Sequence, residues 1–183
     1  LNKQLRLVRA EAAKISDKFR IYLGTEVFFG QDVPEKINRG EILTMNKRNT
    51  VLLEFSPSDG YDYIRQGVQQ VQMTGNQVII AHAERYQCLL DDIGYAEELC
   101  DMGASIQVNA GSIIGDGGRR AKKFVKELMD EDMVFGVGTD AHGVQTRAPK
   151  MKKAADYVKK KYGEEYMRRI FFDNAATLLR KRK

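Results

Sequence analysis

The 183-residue sequence predicts a parallel α/β domain of the β/α-barrel kind. Three observations lead there. Apolar, β-branched runs alternate with helical patterns, which is how parallel sheets are built. Each run is short and apolar throughout, as strands buried on both faces are. A polar residue able to do chemistry stands at or near the C-terminal end of every run, where a β/α barrel gathers its active site from different strands; an open sheet draws on fewer.

The elements come in this order. The opening 1-LNKQLRLVRAEAAKISDKFR-20 spaces Leu1, Leu5, Val8, Ala12 and Ile15 three or four residues apart, a helix with no capping residue ahead of it. The first strand is expected at 21-IYLGTEVFF-29, with Glu26 towards its end. Residues 30–50 are irregular, with room for a short helix after Pro34. The second strand, 51-VLLEFS-56, carries Glu54, and a helix over 60–75 comes next. The third, 77-QVIIAH-82, ends on His82; a helix over 92–103 closes on Gly103. Strand 104-ASIQVNAG-111 carries Asn109 and precedes a helix over 118–132. The fifth strand, 132-DMVFGVGT-139, leads to Asp140 and His142, with Gly136 and Gly138 giving it room to turn. Two helices remain: 149–163, with Pro149 in its first turn, and 164–183, with a cap near 173-DN-174.

Composition narrows the class. With 43% hydrophobic and 30% charged residues and three prolines, the chain has the balance of a globular domain, and one domain over 1–183 is expected. No apolar run nears the ~20 residues of a membrane span, and no signal peptide is evident, so a cytoplasmic setting is expected. Cys88 and Cys100 are too few for a disulfide framework and lack thiolate metal spacing. Residues 150–183 hold 12 Lys and Arg against 4 Asp and Glu, so the net charge of +5 lies in the C-terminal part and the body is slightly acidic. The terminal 180-RKRK-183 reads as a solvated helix end, and no nucleic-acid partner is expected. Five strands do not close a barrel, and ~250 residues is usual for that fold. One or two N-terminal β/α units are therefore expected to lie outside this sequence.

The polar residues at the strand ends point to metal. Asp140 and His142 stand two apart, so in an extended strand they leave on one face and can reach the same ions. Alone such a pair is commonly a loop hydrogen bond. Here Glu26, Glu54 and His82 end three further apolar runs, and burying unpaired charge costs several kcal/mol. A carboxylate and imidazole set without thiolates suits Mn²⁺, Fe²⁺ or Zn²⁺, and its carboxylate richness leans to Mn²⁺. Arg85 and Arg147 each stand closely after a ligand candidate, and guanidinium forks beside metal suit a phosphate ester, although either alone could be a surface arginine. The run 136-GVGTDA-141 matches a dinucleotide fingerprint, but no helix opens at its end to hold a pyrophosphate. In the same way 115-GDGGRR-120 lacks the lysine of a P-loop, and neither cysteine has an arginine six residues later. Phosphatase chemistry here has to be metal chemistry.

The succession GTEVFF, LLEFS, AHAERY, QVNAGS, GTDAHG, TRAP and FFDNAATLL resembles the metal-dependent protein-tyrosine phosphatases of bacterial capsule and exopolysaccharide loci, in the PHP (polymerase and histidinol phosphatase) superfamily. The match runs from about residue 20 to the end. The resemblance implies a distorted seven-stranded, TIM-like PHP barrel and a multinuclear site of two or three ions, usually Mn²⁺, held by Glu26, Glu54, His82, Asp140 and His142. It implies Arg85 and Arg147 as contacts to the substrate phosphate. The partner it implies is the phosphotyrosine tail of a bacterial tyrosine autokinase that controls polysaccharide synthesis. The family's HxH strand, a nearby Asp and a further His have no counterpart here, in keeping with the strand deficit. Other readings are a PHP phosphoesterase acting on a small phosphate or nucleic-acid ends, and a noncatalytic PHP-like binding protein. A homo-oligomer is compatible with each.

Overall fold

The computed structural model describes residues 2–145 and 147–179. Among these, five parallel strands, β1 (Glu26–Phe28), β2 (Thr50–Glu54), β3 (Gln77–Ile80), β4 (Ser105–Asn109) and β5 (Val134–Gly138), form one sheet in sequence order. The helices are α1 (Asn2–Ile15), α2 (Val33–Asn38), α3 (Tyr61–Gln72), α4 (Gln87–Asp91), α5 (Gly94–Asp101), α6 (Ala110–Ile114), α7 (Gly118–Asp130), α8 (Met151–Tyr162), α9 (Glu164–Arg168) and α10 (Asn174–Thr177). A 3₁₀ turn at Ala83–Arg85 comes after β3, and a π turn at Arg169–Asp173 joins α9 to α10. Among the described residues no helix is long and apolar enough to cross a membrane.

Strand alternation divides the sheet into two faces. On β2, Val51 and Leu53, with Phe55 just beyond, are buried in the core with Ile64, Val68 and Val71 of α3. Register sets Glu26 opposite Leu52, and Leu52 opposite Ile79; all three line a cavity on the other face, with Phe171 and Leu178 of the C-terminal segment across it. The helical face is dry, and the other face is left for chemistry.

α3 packs closely on two aromatic rings of the core. A Cβ on Gly67 would come 2.7 Å from Phe55 Cε1 and 3.0 Å from Phe29 Cδ1, and these rings pack on each other with centroids 5.3 Å apart. Alanine would gain about 1 kcal/mol of helix propensity and lose ~1–3 kcal/mol by overpacking. Gly67→Ala is therefore expected to lower the thermal midpoint, with a net cost of about 1 kcal/mol. An unchanged or raised midpoint would mean the rings yield freely.

Several expectations need correction. The first strand is shorter than 21–29: only Glu26–Phe28 pair, with Val27 buried and Phe28 60% exposed. β2 begins two residues earlier, at Thr50, but its ladder with β1 starts only at Leu52, because the chain before Glu26 turns to other partners. Leu23 instead accepts a 2.7 Å bond from the Asn46 N–H, and Gly24 packs on Met45. α1 is helical as expected, but Val8 and Ile15 on its apolar stripe stay exposed. The short helices α4 and α6 are additions that periodicity over five residues cannot reveal. Pro149 precedes α8, which starts at Met151, and so is outside its first turn. Asp173 and Asn174 make no cap; both are helical, the chain runs on through the π turn, and Asn174 Nδ2 donates to the Phe135 carbonyl at 2.8 Å, tying the segment to β5. The 180-RKRK-183 run lies outside the described residues.

Candidate metal centre

Three of the strand-end residues meet. Glu26 opens β1, Glu54 closes β2, and His82 stands two residues past β3. One ligand atom from each lies within 4.8 Å of the others. His82 Nε2 is 3.0 Å from Glu26 Oε1 and 3.2 Å from Glu54 Oε1, and the imidazole is only 3% exposed. His82 adopts a left-handed conformation, φ 33. Its backbone N–H donates to Gln107 Oε1 at 2.7 Å.

The cluster tests well as a cation site. Both ring nitrogens of His82 are buried without a properly aligned hydrogen bond among the described residues, close as the carboxylate oxygens are. One imidazole N–H serves one acceptor, whereas here two carboxylates converge on one nitrogen. Two oxygens and a nitrogen at this spacing form a hard-to-borderline donor set, suited to Mn²⁺, Fe²⁺ or Zn²⁺. Neither thiol belongs to this group, and burial pushes both up, Cys100 to about 11.

Asp140, His142, Arg85 and Arg147 form a second group beside the first. Asp140 has φ 47, so the chain departs from extended geometry at this residue. That overturns the expectation that Asp140 and His142 share a strand face, because same-face spacing requires alternating pleats. Instead Asp140 Oδ2 accepts from the guanidiniums of both Arg85 and Arg147, and its side chain is 10% exposed. Burial pushes the Asp140 carboxyl up, but the two guanidiniums outweigh it and hold it below its ordinary value. His142 Nδ1 is 2.9 Å from the Asp140 carbonyl and 3.4 Å from its Oδ1, on a side chain 59% exposed. The Glu26–Glu54–His82 group includes neither Asp140 nor His142, although Asp140 lines the same cavity of ≈ 260 Å³ as Glu26 and His82. Asp140 also borders a second cavity of ≈ 280 Å³, with Arg85, Arg147, Lys150 and Glu84 in its wall. Asp140 and Asn109 line both cavities.

Supporting residues emerge that residue-type reasoning missed. Gly138 is not in a left-handed conformation; a Cβ there would meet Gln107 Nε2 at 2.5 Å, so the glycine makes space for the amide that holds His82. Gly136 has no such neighbour. Tyr86 is fully buried, its hydroxyl donating to the Ala81 carbonyl at 2.9 Å and accepting from the Phe55 N–H at 3.2 Å, which joins the AHAERY and LLEFS stretches. Glu84 is buried as well, and Lys150 Nζ pairs with Asp116 at 2.8 Å. Gln107 carries a legible signal, a polar side chain inside an apolar run.

Known proteins share this arrangement of chain. The family described as "Capsular polysaccharide synthesis, CpsB/CapC" matches residues 1–180. Tyrosine-protein phosphatase CpsB of Streptococcus pneumoniae is 32% identical over 177 residues, spanning 94% of this chain and 73% of that protein. Tyrosine-protein phosphatase YwqE of Bacillus subtilis is 28% identical over 157 residues, spanning 86% and 61%. The fold superposes with a TM-score of 0.81 on a crystal structure from a study of YwqE and CpsB as metal-dependent tyrosine phosphatases, at 24% identity over 90% of this chain and 67% of that one.

Proposed function

The chain belongs to the CpsB/CapC family of capsular polysaccharide synthesis, and from that premise we propose that it is a metal-dependent protein-tyrosine phosphatase acting on a bacterial tyrosine autokinase. The observation that carries this is the convergence of Glu26, Glu54 and His82 beside a carboxylate that gathers two arginines. Glu26, Glu54 and His82, joined by Asp140 and His142, would hold the ions, two or three Mn²⁺ with Fe²⁺ or Zn²⁺ as substitutes. Bound ions supply a water of lowered pKa and neutralise phosphoryl charge. Arg85 and Arg147 hold the phosphoryl oxygens through their guanidinium forks, orienting phosphorus for in-line attack. The tyrosyl leaving group has a pKa near ~10, so departure needs no strong general acid. The substrate is the phosphotyrosine tail of the kinase, in the cytoplasm, with no nucleic acid involved. The five strands are part of a distorted seven-stranded PHP barrel within one domain; among the described residues β1 pairs with β2 alone, which leaves an edge for such strands.

The test is metal removal. Hydrolysis of a phosphotyrosine peptide by the full-length protein is expected to fall to background after chelation and dialysis, and to return with added Mn²⁺. Turnover that survives complete removal, confirmed by elemental analysis, overturns the proposal. Preference for a small alkyl phosphate over the peptide would favour a small-molecule phosphoesterase instead.

A further inference from the structure

The turn from His82 to Arg85 bears the two site groups that differ most in task, a metal-facing imidazole and a phosphate-facing guanidinium. Its internal bonds are few: Arg85 N–H to the His82 carbonyl at 2.9 Å and Tyr86 N–H to the Ala83 carbonyl at 3.2 Å. A single 3₁₀ turn has poor hydrogen-bond geometry and little stiffness of its own. Two side chains fasten it to its neighbours. Gln107 reaches from β4 to the His82 N–H, and Glu84 reaches from the turn to the last residue of β4 and into α6.

Glu84 is 3% exposed. Its Oε1 accepts from the Asn109 N–H at 3.0 Å and from the Ser112 hydroxyl at 2.7 Å, spanning 25 and 28 residues of sequence. Its Oε2 is buried with no partner among the described residues. Burying a carboxylate with one oxygen unmatched is unfavourable, and a side chain needed only for packing here would be apolar. What the carboxylate provides is a fixed link between the turn and the end of β4. Next to it in sequence, Arg85 leaves the turn towards Asp140.

We infer that Glu84 is a positioning residue: by tying the 82–85 turn to Asn109 and Ser112 it fixes where the Arg85 guanidinium meets the substrate phosphoryl group. The inference rests on the phosphatase reading. Its physical basis is that a displacement of about 1 Å in a substrate-holding group can cost ~10²-fold in rate.

A double-mutant cycle in the full-length, Mn²⁺-loaded protein tests it, reading kcat/KM on a phosphotyrosine peptide, inhibition by inorganic phosphate, and bound Mn²⁺. Glu84→Ala is expected to lower kcat/KM ~10–100-fold and weaken phosphate inhibition with Mn²⁺ retained. Glu84→Gln keeps an oxygen for Asn109 and Ser112 and restores most of the loss. In an Arg85→Ala background, adding Glu84→Ala should cost less than about threefold more, because residues acting through one another are non-additive. If Glu84→Ala does not fold, Ser112→Ala, which removes one of the two bonds, takes its place and is expected to show a smaller loss that also vanishes without Arg85. Full additivity with Arg85→Ala, a loss matched by loss of Mn²⁺, or no loss at all overturns the inference. Absence of Mn²⁺-dependent turnover in the unmutated protein would instead remove the phosphatase reading, a result distinct from any of these.

Discussion

Replacing His82 with alanine is expected to abolish metal binding at micromolar Mn²⁺ and to cut phosphotyrosine hydrolysis by more than about a hundredfold. Groups that merely support a ligand cost ~10–100-fold in affinity when removed, and His82 is placed as a ligand itself. Its buried imidazole is the one nitrogen among the three converging groups. Without it Glu26 and Glu54 face each other as like charges, with fewer donors to hold a cation. Because His82 is left-handed, alanine also brings backbone strain of about 1–2 kcal/mol, whereas asparagine tolerates this conformation. The informative comparison is therefore His82→Asn with His82→Ala: both should lose Mn²⁺ by elemental analysis, and the asparagine variant should melt closer to the parent. Retained metal with retained turnover in His82→Asn would remove His82 from the ligand set.

The second large effect is expected at Arg85. Arg85→Ala should lower kcat by ~10²–10³-fold, the range for removing one preorganised donor from developing charge, while bound Mn²⁺ stays near parental. The separation of the two readouts comes from position: Arg85 touches Asp140, and the Glu26–Glu54–His82 group does not include it. Arg147 shares the same carboxylate oxygen from a more exposed side chain, and a weaker effect is expected there. Loss of metal in Arg85→Ala would show that its main task is to hold Asp140 in place.

How much of the fold and the site is legible in the sequence depends on which forces act locally. The five strands and their order are legible because apolar, β-branched runs punctuated by helical patterns leave few alternatives to a parallel sheet. Glu54 and His82 are legible for a related reason, since charge at the end of an apolar run is costly unless it has a task; Glu26 opens β1 instead of closing it, and is legible only as a charge within an apolar run. Asp140 and His142 are legible as residues of interest but not as geometry. Spacing of two implies a shared face only while the chain stays extended, and Asp140 turns left-handed, which Asp tolerates better than most residues. The β1 boundary is hidden because strand length depends on a partner distant in sequence. Asn174 illustrates the same limit: local preference suggests a cap, and a carbonyl on β5 outbids it. Glu84 and Tyr86 are only letters in AHAERY until the chain folds, because Asn109, Ser112 and Phe55, to which they bond, lie 25–31 residues away in sequence.

The brevity of β1 has a consequence for affinity. Glu54 stands on an interior strand and His82 just beyond another, but Glu26 belongs to a three-residue strand paired on one side among the described residues. A cation drawing on all three groups would act as a rivet, and part of its binding free energy would go into holding β1 against the sheet. Metal affinity and local opening of β1 are then one equilibrium seen from two ends. A substitution on the β1–β2 ladder that spares the ligand side chains, at Val27, would weaken ion retention before it weakened the fold.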